Sequence, residues 1–196
     1  MVNKVRLAVF ASGQGTNLDA LQTAIIQRDL PAQIVRVIVD QRQAGALAIA
    51  AKWNLPARLV DYRQYSSKRA AEAAILDQLA HDQVQGILLA GYMRILSPTM
   101  VHAYAGKIIN LHPALLPAFP GRQSILDAYQ AGVSQTGVTV HFVDDGVDTG
   151  QIIAQQTVIR HPDDQLSDLE NRIHQVEHQL YPQVLAALLE KGVFTK

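Results

Sequence analysis

A chain of 196 residues with 48% hydrophobic content can bury a core without covalent staples, and it fits one domain better than two. Its 17 basic and 17 acidic residues cancel, and no lysine or arginine run offers a footprint for nucleic acid or an anionic membrane. The absence of cysteine excludes disulfides, thiolate nucleophiles and cysteine zinc sites. No leader-like start and no apolar run near ~18 residues is seen, so a cytoplasmic protein is expected.

Strand and helix alternate from the start. Lys4 to Ala11 is a short apolar run, Thr16 to Arg28 has helical spacing, and Ile34 to Asp40 leads into an alanine-rich helix through Trp53. Ala57 to Asp61, a helix from Ser66 to Asp82, Gly86 to Ala90 and Lys107 to Asn110 continue the pattern. Near-continuous apolar runs of this length suit strands covered on both faces of a parallel sheet. After Asn110 come a proline-rich loop through Gly121, a helix to Ala131, and two runs, Gly137 to Val143 and Gln151 to Ile159. The loop joining those two runs is short, which favours antiparallel pairing. A last helix, Gln165 to Lys191, carries Leu166, Leu169, Ile173, Val176 and Leu180 as one stripe, with Pro182 expected to kink or break it. The expected fold is therefore α/β: a Rossmann-like, mostly parallel twisted sheet with helices on both faces and an antiparallel C-terminal strand pair.

The loop Ala11-Ser12-Gly13-Gln14-Gly15-Thr16-Asn17 leaves the first strand and opens the first helix. Unpaired amides and the helix dipole make an anion site at such a place, and its glycines permit close approach. It is not a Walker A motif, and Leu18 stands where a dinucleotide fingerprint needs its third glycine. The plainer explanation is a tight turn with Thr16 as N-cap. Asp40, at the end of the second strand, occupies the place of a ribose-reading carboxylate and keeps a dinucleotide alternative open.

In Ile108-Ile109-Asn110-Leu111-His112-Pro113, residues two apart on a strand project from one face, so Asn110 and His112 can act on one atom. An amide beside an imidazole can polarise a carbonyl and stabilise an oxyanion. By itself, Asn-x-His-Pro more often marks a histidine that caps a buried strand. Asp148 sits in an Asp/Gly loop of the kind that usually just turns the chain, and the spacing does not fit an EF-hand. Beside an imidazole, such a carboxylate could relay a proton. Glu177 falls at the edge of the apolar stripe, where a solvated residue is the ordinary outcome. His141 reads as a structural histidine within a strand, and His81, His102 and His161 as surface residues. No His/Asp/Glu set has convincing metal spacing.

Taken together, the loop at 11 to 17, Ala90-Gly91-Tyr92-Met93-Arg94-Ile95-Leu96, Asn-Leu-His-Pro-Ala-Leu-Leu-Pro at 110 to 117, Gly137 to Asp144, Asp148-Thr149-Gly150 and Val176-Glu177-His178 before Tyr181-Pro182 resemble the phosphoribosylglycinamide formyltransferases. Those enzymes move a formyl group from 10-formyltetrahydrofolate to the amine of glycinamide ribonucleotide in purine biosynthesis. The resemblance implies a single formyltransferase domain, with residues 1–110 as a nucleotide-binding half and 111–196 as a folate-binding and catalytic half. It implies that Gly13, Gln14, Gly15, Thr16 and Asn17 hold the phosphate and that Glu177 grips the amine end of the ribonucleotide. Lys68, Met93, Arg94, Ile95, Leu96, Asn110, Val143 and Asp144 would contact folate. Asn110 and His112 would polarise the formyl oxygen and Asp148 would assist proton transfer, with no metal, in a monomer or homodimer acting on small molecules. The chain departs from the pattern at Arg122-Gln123-Ser124, where many relatives carry histidine, and at His174, where some carry glutamine. The rivals are another formyl-folate enzyme, a hydrolase or other formyltransferase, and a non-catalytic nucleotide-binding module.

Overall fold

The computed structural model describes residues 4–195. Strand β1 (Val5–Ala11), with sequence VRLAVFA, is buried along almost its whole length because helices cover both of its faces. Leu7 and Val9 pack with Leu18, Leu21 and Ile25 of α1 (Thr16–Gln27). Ala8 and Phe10 pack on the opposite face with Ala71, Ile75 and Leu79 of α3 (Lys68–His81). The period-2 alternation of β-structure thus feeds two cores, and a continuous apolar run is what such a strand requires.

The remaining strands are β2 (Ala32–Val39), β3 (Ala57–Leu59), β4 (Gly86–Leu89), β5 (Ile108–His112), β6 (Gln135–Phe142) and β7 (Ile152–Ile159). They form one seven-stranded sheet in the order β3-β2-β1-β4-β5-β6-β7. Pairings from β3 to β5 are parallel and β6–β7 is antiparallel, as expected, and β5–β6 is antiparallel as well. Helices α2 (Ala46–Lys52), α5 (Ser124–Gln130) and α6 (Leu166–Glu190) join α1 on one face, and α4 (Pro98–Ala103) joins α3 on the other. Sequence periodicity missed α4, although Ser97 caps it through the Met100 N–H and Pro98 occupies its first turn, a standard start signal.

Pro182 neither ends nor splits α6, which runs as one helix of 25 residues. Proline removes one helical hydrogen bond, but Leu180, Tyr181, Val184 and Leu185 are buried on both sides of it, so packing holds the flanking turns together. The Tyr181 hydroxyl lies 3.1 Å from Leu89 O and 3.0 Å from Ile109 O, tying this helix to the ends of β4 and β5.

Candidate active site

In an open α/β sheet, the crevice lies beyond the carboxyl ends of the strands where the order reverses. Here β1 is flanked by β2 on one side and β4 on the other, so the loops after β1 and β4 part at that point. A cleft of about 690 Å³ opens there. Its wall includes Gly13 to Asn17, Met93 to Leu96, Asn110, His112, Val143, Asp144, Asp148 and Glu177. Lys68 is not part of it: at the start of α3, its ammonium lies 3.7 Å from Glu72.

The first end of the cleft is the loop after β1. Gly15 is the N-cap of α1, with φ +82°, and no side chain caps the helix. Thr16 is therefore the first helical residue and not the cap, which leaves the amides of the first turn unclaimed by a side chain. A Cβ at Gly15 would lie 2.6 Å from Ala46 Cα, so the left-handed turn and its packing on α2 both demand glycine. Asn17 donates to Glu177 Oε2 at 3.0 Å, and His174 Nδ1 lies 2.8 Å from the same oxygen. Glu177 is buried, its residue only 4% exposed, which corrects the boundary position inferred from the helical stripe. The hydrogen bond to Glu177, opposed by partial burial, holds the His174 pKa above its ordinary value.

The second end is built on β5 and β6. His112 is buried, and its Nε2–H donates to Phe119 O at 2.9 Å, which leaves Nδ1 facing Asp148 Oδ2 at 3.5 Å. His141 Nδ1–H donates to Phe142 O at 2.8 Å, so its Nε2 accepts from Asn110 Nδ2 at 3.0 Å. Asn110 Nδ2 is also 3.4 Å from Asp148 Oδ1, to which His141 Nε2 lies at 3.7 Å. Asp148 accepts the Gly121 N–H at 2.8 Å. Burial by itself would raise the Asp148 pKa, but His141, the Gly121 amide and His112 outweigh it and hold the carboxyl below its ordinary value.

Local chain geometry makes this convergence possible. Thr139 on β6 pins the proline-rich loop, accepting the Leu116 N–H at 3.1 Å and donating to Ala114 O at 2.6 Å. Asp148 and Phe119 both adopt positive φ, +55° and +52°, a conformation that costs a non-glycine residue about 1–2 kcal/mol. Asp144 orders the turn at 144–150 by accepting from the Gly146 N–H at 3.1 Å and the Thr149 hydroxyl at 2.7 Å. Gly150 closes the turn at a point where a Cβ would collide with Phe142 O.

His141 is the residue that the sequence undervalued. Its signal lay in the antiparallel register, which sets Asn110 directly opposite His141. Arg122, Gln123 and Ser124 also line the cleft, as do Glu170 and His174. Asp40 does not offer a ribose-reading carboxylate: its side chain is 2% exposed, and Arg94 Nε holds Oδ2 at 2.7 Å. Among the described residues, no group of three or more His, Cys, Asp or Glu could hold a metal ion, and no helix is long and apolar enough to cross a membrane.

Residues 5–185 match the family model described as Formyl transferase. A phosphoribosylglycinamide formyltransferase from Bacillus subtilis is 44% identical over 184 residues, covering 94% of each chain. The chain is also 40% identical, over 97% of its own length, to the trifunctional purine biosynthetic protein adenosine-3 of Gallus gallus, of which it spans 19%. Among solved structures, glycinamide ribonucleotide transformylase 1 from Geobacillus kaustophilus is similar with a TM-score of 0.92 at 52% identity, over 95% of this chain and 99% of that one. The phosphoribosylglycinamide formyltransferase from Bacillus halodurans has a TM-score of 0.94 at 42% identity, over 97% of this chain and 100% of its own.

Proposed function

The chain belongs to the formyl transferase family, and from that premise we propose that it transfers the formyl group of 10-formyltetrahydrofolate to the amine of 5'-phosphoribosylglycinamide, a step of purine biosynthesis. The observation that carries this reading is the convergence of Asn110, His112 and His141 on the Asp148 carboxylate, within 3.4 to 3.7 Å, at the switch-point crevice. The protein would work in the cytoplasm, as a monomer or homodimer, on these two small molecules alone.

Attack of a neutral amine on the formyl carbon forms a C–N bond and a tetrahedral intermediate. Its oxygen gains negative charge while its nitrogen gains positive charge. His112 is locked through Nε2, so Nδ1 is the atom left to present a proton to that oxygen. Asn110 keeps one Nδ2 hydrogen on His141 and turns the other from its long Asp148 contact to the oxygen. Asp148 balances the charge of the imidazolium. Through water, it takes the proton from the new C–N nitrogen and returns it to the folate nitrogen as the C–N bond to folate breaks. The atoms balance with no metal and no covalent enzyme intermediate.

The amides of Gly13 to Asn17 suit the ribonucleotide phosphate, and Glu177, bonded to Asn17 at that end, suits a polar group of the same ribonucleotide close to the phosphate. Met93 to Leu96, Asn110, Val143 and Asp144 form the folate wall. Lys68, half exposed and outside the cleft wall, would meet folate only where folate projects beyond the cleft. Mixing the protein with 10-formyltetrahydrofolate and glycinamide ribonucleotide, and following loss of the formyl folate by absorbance, tests the proposal. Turnover that requires both compounds supports it. Turnover without the acceptor points to a hydrolase, and nucleotide binding without turnover points to a binding module.

A further inference from the structure

The segment Gly91 to Ser97 is a bent stretch of chain between β4 and α4 that lines the cleft. Its side chains alternate: Tyr92 and Leu96 are buried, while Met93 and Ile95 are 46% and 63% exposed at the cleft. Yet it belongs to no strand of the sheet, so no ladder fixes its backbone. Side chains around it take over that task. Ser12 Oγ accepts the Met93 N–H at 2.9 Å, and Glu72 Oε1 accepts the Ser97 N–H at 3.2 Å. Arg94 turns away from its exposed neighbours, donates to Asp40 Oδ2 at 2.7 Å and stacks 3.9 Å over the Tyr62 ring. The Tyr62 and Tyr92 hydroxyls meet at 3.1 Å.

Asp40 and Glu72 are costly anchors. Each side chain is only 2% exposed, and each has a second oxygen, Asp40 Oδ1 and Glu72 Oε2, with no hydrogen-bond partner among the described residues. A buried carboxylate with incomplete partners is a poor device for stability, and well-packed apolar residues would serve that end better. What such groups can supply is a defined geometry. We propose that Asp40 and Glu72 are positioning residues: they hold the Gly91–Ser97 segment in the one conformation that fits the folate substrate. They act through Arg94 and the Ser97 amide and touch neither substrate. The carboxylate at the ribose-reading place of a nucleotide fold thereby serves the other substrate's wall. This inference rests on the folate assignment of Met93 to Leu96 made above.

The test is steady-state kinetics in which each substrate is varied separately, on Asp40→Asn, Glu72→Gln and Arg94→Gln, with Met93→Ala as a direct probe of the wall. For Asp40→Asn, KM for 10-formyltetrahydrofolate should rise about tenfold, while KM for the ribonucleotide and kcat at saturation stay within about twofold. Combining Asp40→Asn with Arg94→Gln should be little worse than either change, because both break one contact. Asp40→Glu should recover part of the loss. If Asp40→Asn does not fold, Glu72→Ala removes the Ser97 anchor from outside the cleft wall and decides the matter. Unchanged folate KM in the Asp40 and Glu72 variants, or an equal rise for both substrates, overturns the inference. If Met93→Ala raises the folate KM and the anchor variants do not, the positioning role alone fails. If Met93→Ala has no effect either, the folate assignment fails with it.

Discussion

Each end of the cleft pairs a carboxylate with histidine, and the two pairs are built differently. Glu177 is held by short contacts, 2.8 Å to His174 and 3.0 Å to Asn17. Asp148 has one short bond, from the Gly121 N–H at 2.8 Å, but faces the side chains of His112, His141 and Asn110 at 3.4 to 3.7 Å, on a residue held at positive φ. Short charge-assisted bonds fix a group in one geometry. Longer contacts leave partners free to shift as protons and charge move, and they shorten when the transition state forms. The first arrangement suits gripping a substrate and the second suits changing one.

The largest expected effects break the loose pair. Asp148→Asn and His112→Ala should each lower kcat at least about a hundredfold, with an unchanged far-ultraviolet spectrum confirming the fold. Breaking the tight pair should do something else. Glu177→Gln should raise KM for the ribonucleotide about tenfold while kcat changes by no more than a few-fold.

Tyr181 sharpens the comparison because it braces β4 and β5 while buried and outside the cleft wall. Tyr181→Phe leaves two buried carbonyls without this donor and should destabilise the fold by about 1–2 kcal/mol in urea titration. Both KM values should hold.

The smallest effect concerns pH. The folded pKa of His174 is raised, chiefly by its hydrogen bond to Glu177, above an unfolded value near ~6.5. The pair therefore adds stability that is fully present below about pH 6.5 and is lost as pH rises through the folded pKa. The wild-type melting temperature should exceed that of His174→Gln in mildly acidic buffer, and the gap should shrink as the buffer becomes alkaline. A gap that widened with pH would reverse the assigned sign. His174 is about half exposed, so the effect should be modest.

The parallel sheet could be read from sequence because apolar runs, glycine turns and helical spacing are local signals that agree with one another. Asn110 and His112 were visible for the same reason, lying two apart on one strand. What escaped was set by distant partners. His141 joins through register with β5, and Glu177 is buried by pairing with Asn17, 160 residues away in the chain. The local cost of Pro182 is overridden by the buried residues around it. The place of Asp40 after β2 carries no sign of Arg94, which reaches it from a later loop. Lys68 has no local signal of a role, and only the resemblance points to it.

The division of labour between the two ends is tested most directly by single-turnover formyl transfer at saturating concentrations of both substrates, with Asp148→Asn and Glu177→Gln compared side by side. Saturation removes differences in binding and leaves the chemical step. Asp148→Asn should be slower than wild type by at least about a hundredfold, and Glu177→Gln should recover to within a few-fold. A near-wild-type rate for Asp148→Asn, or an equal loss in both variants, would contradict the account.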